Sequence, residues 1–195
     1  MATKSPKLFE SLRSMTAMTV TTVSLTLAAA SSASAATVFG FQSPYAPINW
    51  TLTNSNADGF VDTTGAPASI SLTGGDNDSG DPGTTDYTTT AAAAGTVTFD
   101  WNYSSSDDPG WDGFGYLLNG SFSFLADSSG QNGTSTFNVL AGDSFGFRIF
   151  TDDNRLGPGS VTISNFSAPV PEPSTVLSLL VLGGLGAGLK YLKRN

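Results

Sequence analysis

The chain has 195 residues, 16 acidic against 8 basic side chains and a formal net charge of −8, with neither Cys nor His. That length holds one domain plus targeting segments. The two missing residue types exclude disulfides, thiolate metal sites, zinc sites of the usual nitrogen and sulfur ligands, and Ser-His-Asp or Cys-His catalysis.

Residues 1–35 read as a secretory signal. Lys4, Lys7 and Arg13 form a basic front, Met15 to Ala30 a mildly apolar middle, and Ala33-Ser34-Ala35 an A-x-A cleavage site that leaves Ala36 as the mature start. The body that follows, 36–168, is more acidic than the whole chain. Between Ala36 and Pro169 there are fourteen Asp, no Glu, no Lys and two Arg, a net charge of −12. Such a surface disfavours nucleic acid, whose phosphates need basic contacts, and anionic lipid.

The body shows no helical periodicity. Short β-like runs alternate with clusters of Gly, Asn, Asp, Ser and Pro, which predicts an all-β, antiparallel β-sandwich, jelly-roll-like. The expected strands are Thr37–Phe41, Ile48–Thr53, Ala68–Thr73, Tyr87–Thr90, Gly95–Tyr103, Gly115–Leu118, Ser121–Ala126, Ser135–Leu140, Ser144–Thr151 and Ser160–Ser167. The alternation is clearest in Thr96–Tyr103, where Val97, Phe99, Trp101 and Tyr103 share one face. Asn119-Gly120 suits the positive φ of a type I′ hairpin turn, and with Ala141-Gly142-Asp143 it suggests a run of hairpins from Phe114 to Phe150. Phe99, Trp101, Phe122, Phe124, Phe145 and Phe147 are the expected aromatic core.

Two features of the body bear on chemistry. Asp76, Asp78 and Asp81 alternate around a glycine, and Asp107, Asp108 and Asp112 cluster in a second loop, with Asp152 and Asp153 as further partners. Hard oxygen ligands in this density are candidates for Ca²⁺. The first run departs from an EF-hand: Gly80 takes the fifth position and Tyr87 that of the bidentate glutamate. Trp111, in Asp107-Asp108-Pro109-Gly110-Trp111-Asp112-Gly113, is a candidate for stacking on a sugar face, or a plug for the end of the sandwich. Paired aspartates also admit a glycoside hydrolase, although the body has no Glu and no buried acid is legible.

The C-terminus has three parts in order. A Pro-rich linker, 169–175, contains Pro171, Glu172 and Pro173, which stiffen the chain and stop a helix growing backward. An uncharged apolar run, Val176 to Leu189, opens segment 176–195, and Lys190, Lys193 and Arg194 supply a basic membrane stop. As a helix, fourteen residues cover about 21 Å, and extension to Leu192 with Lys190 snorkelling gives about 25 Å, a short transmembrane helix for a hydrocarbon core of about 30 Å.

This order resembles the PEP-CTERM sorting signal of bacterial exported proteins. The resemblance implies transfer by an exosortase, clipping near Pro171-Glu172-Pro173 and release to the cell surface, with membrane anchoring beforehand. The body is similar in outline to a β-sandwich domain recurring in PEP-CTERM proteins, through Asn49-Trp50-Thr51-Leu52, Gly95 to Trp101, Gly115 to Gly120, Ala141 to Phe147 and Ile163 to Phe166. No catalytic residues come with that domain. The sequence therefore points to a non-enzymatic surface or matrix protein whose partner is extracellular polysaccharide or the envelope. A calcium-dependent, lectin-like carbohydrate-binding module is the alternative and a secreted glycoside hydrolase the weaker one.

Overall fold

A computed structural model describes residues 35–172. The signal segment up to residue 34, Pro173, the apolar run and the basic stop at Lys190, Lys193 and Arg194 lie outside the described residues. Among the described residues no helix is long and apolar enough to cross a membrane.

The body is a sandwich of two antiparallel sheets. Its strands are β1 (Ala36–Phe39), β2 (Thr51–Ser55), β3 (Phe60–Asp62), β4 (Ser69–Thr73), β5 (Gly83–Thr90), β6 (Gly95–Ser105), β7 (Asp112–Leu118), β8 (Ser121–Ala126), β9 (Asn132–Val139), β10 (Ser144–Thr151) and β11 (Gly159–Val170). One sheet runs β3-β4-β11-β6-β9, with β1 also on β11; the other runs β2-β5-β10-β7-β8. From β4 to β11 the strand orders are 4-11-6-9 and 5-10-7-8, a jelly roll, with β1, β2 and β3 added at the margins.

This topology corrects the expected run of hairpins. β7 and β8 do form one, with Asn119 at φ 50° and Gly120 at φ 80°. The turn at Ala141–Asp143, by contrast, carries the chain from β9 in one sheet to β10 in the other. Alternation marks a half-buried strand but does not say which sheet receives it. The expected strand start at Ile48 is corrected too. Pro47–Asn49 is a single 3-10 turn, because Pro47 pre-sets the helical φ, and β2 begins at Thr51.

Aromatic rings fill the interior. Trp50 stacks on Tyr87 and on Phe147, with centroids at 5.0 and 5.5 Å, and its indole N–H donates to the Tyr45 carbonyl at 3.0 Å. Phe99, Phe145 and Phe147 are buried as expected. Trp101 is half-buried at the margin of the core, its indole N–H donating to Ser135 Oγ at 3.1 Å. Phe122 and Phe124 contradict the core reading. They face outward from the five-stranded sheet, Phe124 is 53% exposed, and both pack on Phe150. Gly113 and Gly115 make that possible: a Cβ at either would lie 2.2 Å from the Phe150 ring or 2.6 Å from the Phe122 ring.

β11 is the longest strand and changes face midway. Val161 and Ile163 point inward, then Phe166 and Ala168 do. The extra residue sits where the register to β6 shifts between Ser164 and Ser167, and Asn165 takes φ 47° there. A bulge of this kind inverts the parity of everything after it.

Candidate functional site

Two loop clusters hold the predicted carboxylates. In the first, Trp111 is 46% exposed just before β7. It is fixed through its backbone: its N–H donates to the Asp108 carbonyl at 3.3 Å, and its carbonyl accepts from the Asp152 N–H at 2.8 Å. Beneath it, Asp112 is only 1% exposed. Ser105 Oγ donates to Asp112 Oδ2 at 2.9 Å and in turn accepts the Asp107 N–H at 3.1 Å. Asp112 Oδ1, Asp107 Oδ2 and the Tyr103 hydroxyl are buried with no hydrogen-bond partner. Gly159 allows this crowding, since a Cβ there would lie 2.6 Å from the Tyr103 hydroxyl.

Burial pushes the Asp112 carboxyl above the usual carboxylate range, and the charges of Asp107 and Asp153 push the same way, against the hydrogen bond from Ser105. Burial likewise raises the Tyr103 phenol, reinforced by the charge of Asp112. The structure thus brings Asp107 and Asp112 together with Tyr103. Asp108 joins them through its backbone, donating its N–H to Asp107 Oδ1 at 2.6 Å.

The second cluster, Asp76 to Asp81, is organised by Asn154, which sequence reasoning missed. Asn154 is fully buried with φ 55°, and its amide donates to the backbone carbonyls of Asn56 at 2.9 Å and Asp81 at 2.7 Å. Its backbone carbonyl accepts the Asp78 N–H at 2.9 Å. Asp76 Oδ1 accepts the Gly157 N–H at 3.2 Å. These contacts tie three loops together. Among the described residues no group of three or more carboxylates is arranged to hold a metal ion. In the sequence, Asn154 beside Asp152-Asp153 reads as an ordinary turn residue, so no local signal marks its role.

On the outer face of the five-stranded sheet, Arg148 pairs with Asp86 through two hydrogen bonds, Nε to Oδ1 and an Nη to Oδ2, both 2.6 Å. The Arg148 guanidinium also lies 5.8 Å from the centroid of the Phe122 ring. On the other sheet, two depressions open along the outer face. One, of about 600 Å³, is lined by Phe39, Gly40, Pro67, Thr98 and Asn165 among others. The other, of about 320 Å³, is lined by Asp100, Asn102, Asn132, Thr134 and Ser164 among others.

Solved structures similar to this chain match it at low identity. A family 35 carbohydrate-binding module from Clostridium thermocellum is 13% identical, with 66% of this chain and 98% of that chain covered and a TM-score of 0.36. A variant of a family 29 carbohydrate-binding module is 12% identical, covers 71% and 94% respectively, and has a TM-score of 0.42. A TmCBM61 module in complex with β-1,4-galactotriose is 10% identical, covers 67% and 94%, and has a TM-score of 0.38. No curated protein matches the sequence. Overlapping the end of β11 and continuing through the tail, residues 169–194 match the PEP-CTERM protein-sorting motif, so the chain carries this sorting signal directly behind its β-sandwich.

Proposed function

We propose that the chain is an exported bacterial surface or extracellular-matrix protein, non-enzymatic, delivered by an exosortase that reads its C-terminal signal, with extracellular polysaccharide as its partner. The sorting motif at 169–194 carries this reading. Pro171 and Glu172 leave β11 exposed and without secondary structure, so a processing enzyme reaches them without unfolding the sandwich. The net charge of −12 on the body suits a solvated extracellular surface. Fractionation tests the proposal. The intact gene product is expected in the surface or medium fraction of an exosortase-bearing host. Removal of residues 173–195, or loss of the exosortase, is expected to change that distribution. An unchanged distribution in both cases contradicts it.

One observation favours a second reading, a calcium-dependent carbohydrate-binding module. Asp107 Oδ2 and Asp112 Oδ1 are buried carboxylate oxygens without partners, and such oxygens are what a hard cation would satisfy. Asp107 and Asp112 would hold the ion, and a sugar would sit against Trp111. On this reading calcium raises the melting temperature and EDTA reverses the shift. Superimposable melting curves in calcium and EDTA remove it.

A further inference from the structure

The outer face of the six-stranded sheet is covered almost entirely by hydroxyl, amide and carboxyl groups, and the strand register sets them in rows across the strands. Phe39, Ser167, Thr98 and Thr136 stand opposite one another in one row. Ser69, Ser164, Asp100 and Thr134 form the next. The bulge at Asn165 lies between them, and Asn165 Nδ2 donates to Asp100 Oδ2 at 2.7 Å. The larger depression reaches Asn165 and the smaller one reaches Asp100, so the two adjoin at this hydrogen bond. Four strands at a spacing of about 4.8 Å give a track on the order of 15 Å long.

At one end of the track the Phe39 ring is 70% exposed. Gly40, at φ 78°, holds the chain there: a Cβ would lie 2.5 Å from the Pro67 carbonyl oxygen. Along the floor, Asp100 Oδ1 accepts from Thr134 Oγ1 at 2.5 Å and Oδ2 accepts from Asn165, which leaves each oxygen a second lone pair for an incoming hydroxyl. Thr98 and Thr136 share a hydrogen bond at 3.2 Å and keep similar spare capacity. The lining of both depressions contains no Lys or Arg, and the body around it is strongly acidic.

An apolar ring followed by a row of neutral donors and anionic acceptors, with no cation, matches one ligand chemistry. It fits a chain of units that each have an apolar C–H face and a rim of hydroxyls, and it repels anionic chains. We propose that this track is a binding site for an uncharged polysaccharide, one sugar lying against Phe39 and the following units bonding through Thr98, Asn165 and Asp100. The proposal rests on the reading that polysaccharide is the partner, and it names a face other than that of Trp111.

The test is affinity electrophoresis of the full chain in mild detergent, through gels containing dextran, galactomannan or hydroxyethyl cellulose, with polygalacturonate as the anionic counterpart. At least one neutral gel is expected to retard the wild type. Phe39→Ala and Asp100→Ala are each expected to weaken that retardation about tenfold, the size of a central contact, while Ile48→Ala, an exposed side chain outside the lining of both depressions, leaves it unchanged. Thr134→Ala, an exposed substitution, serves as a second floor variant, and melting curves confirm that each variant is folded. Retardation that survives in Phe39→Ala, Asp100→Ala and Thr134→Ala, or that is lost in Trp111→Ala alone, overturns the site and leaves the polysaccharide reading standing. Stronger retardation by polygalacturonate overturns the ligand class. Migration unaffected by every gel overturns both.

Discussion

Ala36 stands directly opposite Val170, the first residue of β1 against the last of β11. Both ends of the described domain therefore meet at one corner of the six-stranded sheet. The expected signal cleavage falls just before this pair and the Pro171-Glu172-Pro173 motif just after it, so trimming at both places leaves the strand pairing whole. Tyr45 pins the same corner from inside, its hydroxyl donating to the Pro169 carbonyl at 2.7 Å and accepting the Ala92 N–H at 3.0 Å. Tyr45→Phe removes one buried partner for each of those groups. It is expected to destabilise the fold by about 1–3 kcal/mol in urea titration.

Asp112 makes stability fall with rising pH. The folded chain holds its proton more tightly than the unfolded chain, because burial penalises the carboxylate. Its contribution is therefore complete below the ordinary carboxylate value of 3.8 and is lost as pH rises through the raised value. Asp100 and Asp143 act in the opposite sense. Their carboxyls are lowered, Asp100 by Asn165 and Thr134 and Asp143 by the Leu140 N–H and Asn119, so they lose stability only as pH falls below that value. Asp112→Asn is expected to flatten the decline above pH 4 and leave the acid side alone, as read from melting temperatures across a pH series. A steeper decline in the variant contradicts this.

The Arg148–Asp86 pair is two-pronged and rests beside a ring, so its geometry and its charge both count. Arg148→Lys keeps the charge and loses the fork. With both side chains partly exposed, a loss of about 1 kcal/mol is expected in chemical denaturation, and Asp86→Asn should cost a similar amount. An Arg148→Lys variant as stable as the wild type would reduce the pair to a surface contact.

At Asn165 the backbone sits at φ 47°, where β-branched residues are strained. Asn165→Gly should keep the bulge, whereas Asn165→Val is expected to cost about 1–3 kcal/mol. Because the bulge decides which residues of β11 face the core, the valine variant should also loosen Phe166, visible as faster amide exchange there.

Much of this arrangement was legible in the residues, and the misses have physical reasons. The strict alternation from Thr96 to Tyr103 and the Asn119-Gly120 turn located β6 and the β7–β8 hairpin because both are local signals. Phe122 and Phe124 misled because ring size argues for burial, while their outward placement depends on Gly113 and Gly115 one strand away. Phe60–Asp62 is too short to show a period, and its strand exists only by pairing with β4. The polar track could not be read at all, since it needs β1, β11, β6 and β9 side by side. Asp107, Asp108 and Asp112 read as one acidic loop, but the burial of Asp112 involves a close approach by Gly159, far along the chain, which no local pattern shows.

The mass of the protein recovered from the surface or medium of an exosortase-bearing host tests delivery and processing most directly. A product that begins at Ala36 and ends close to Glu172 is predicted. A surface protein that still carries the tail through Asn195 would contradict processing and leave a plain membrane anchor.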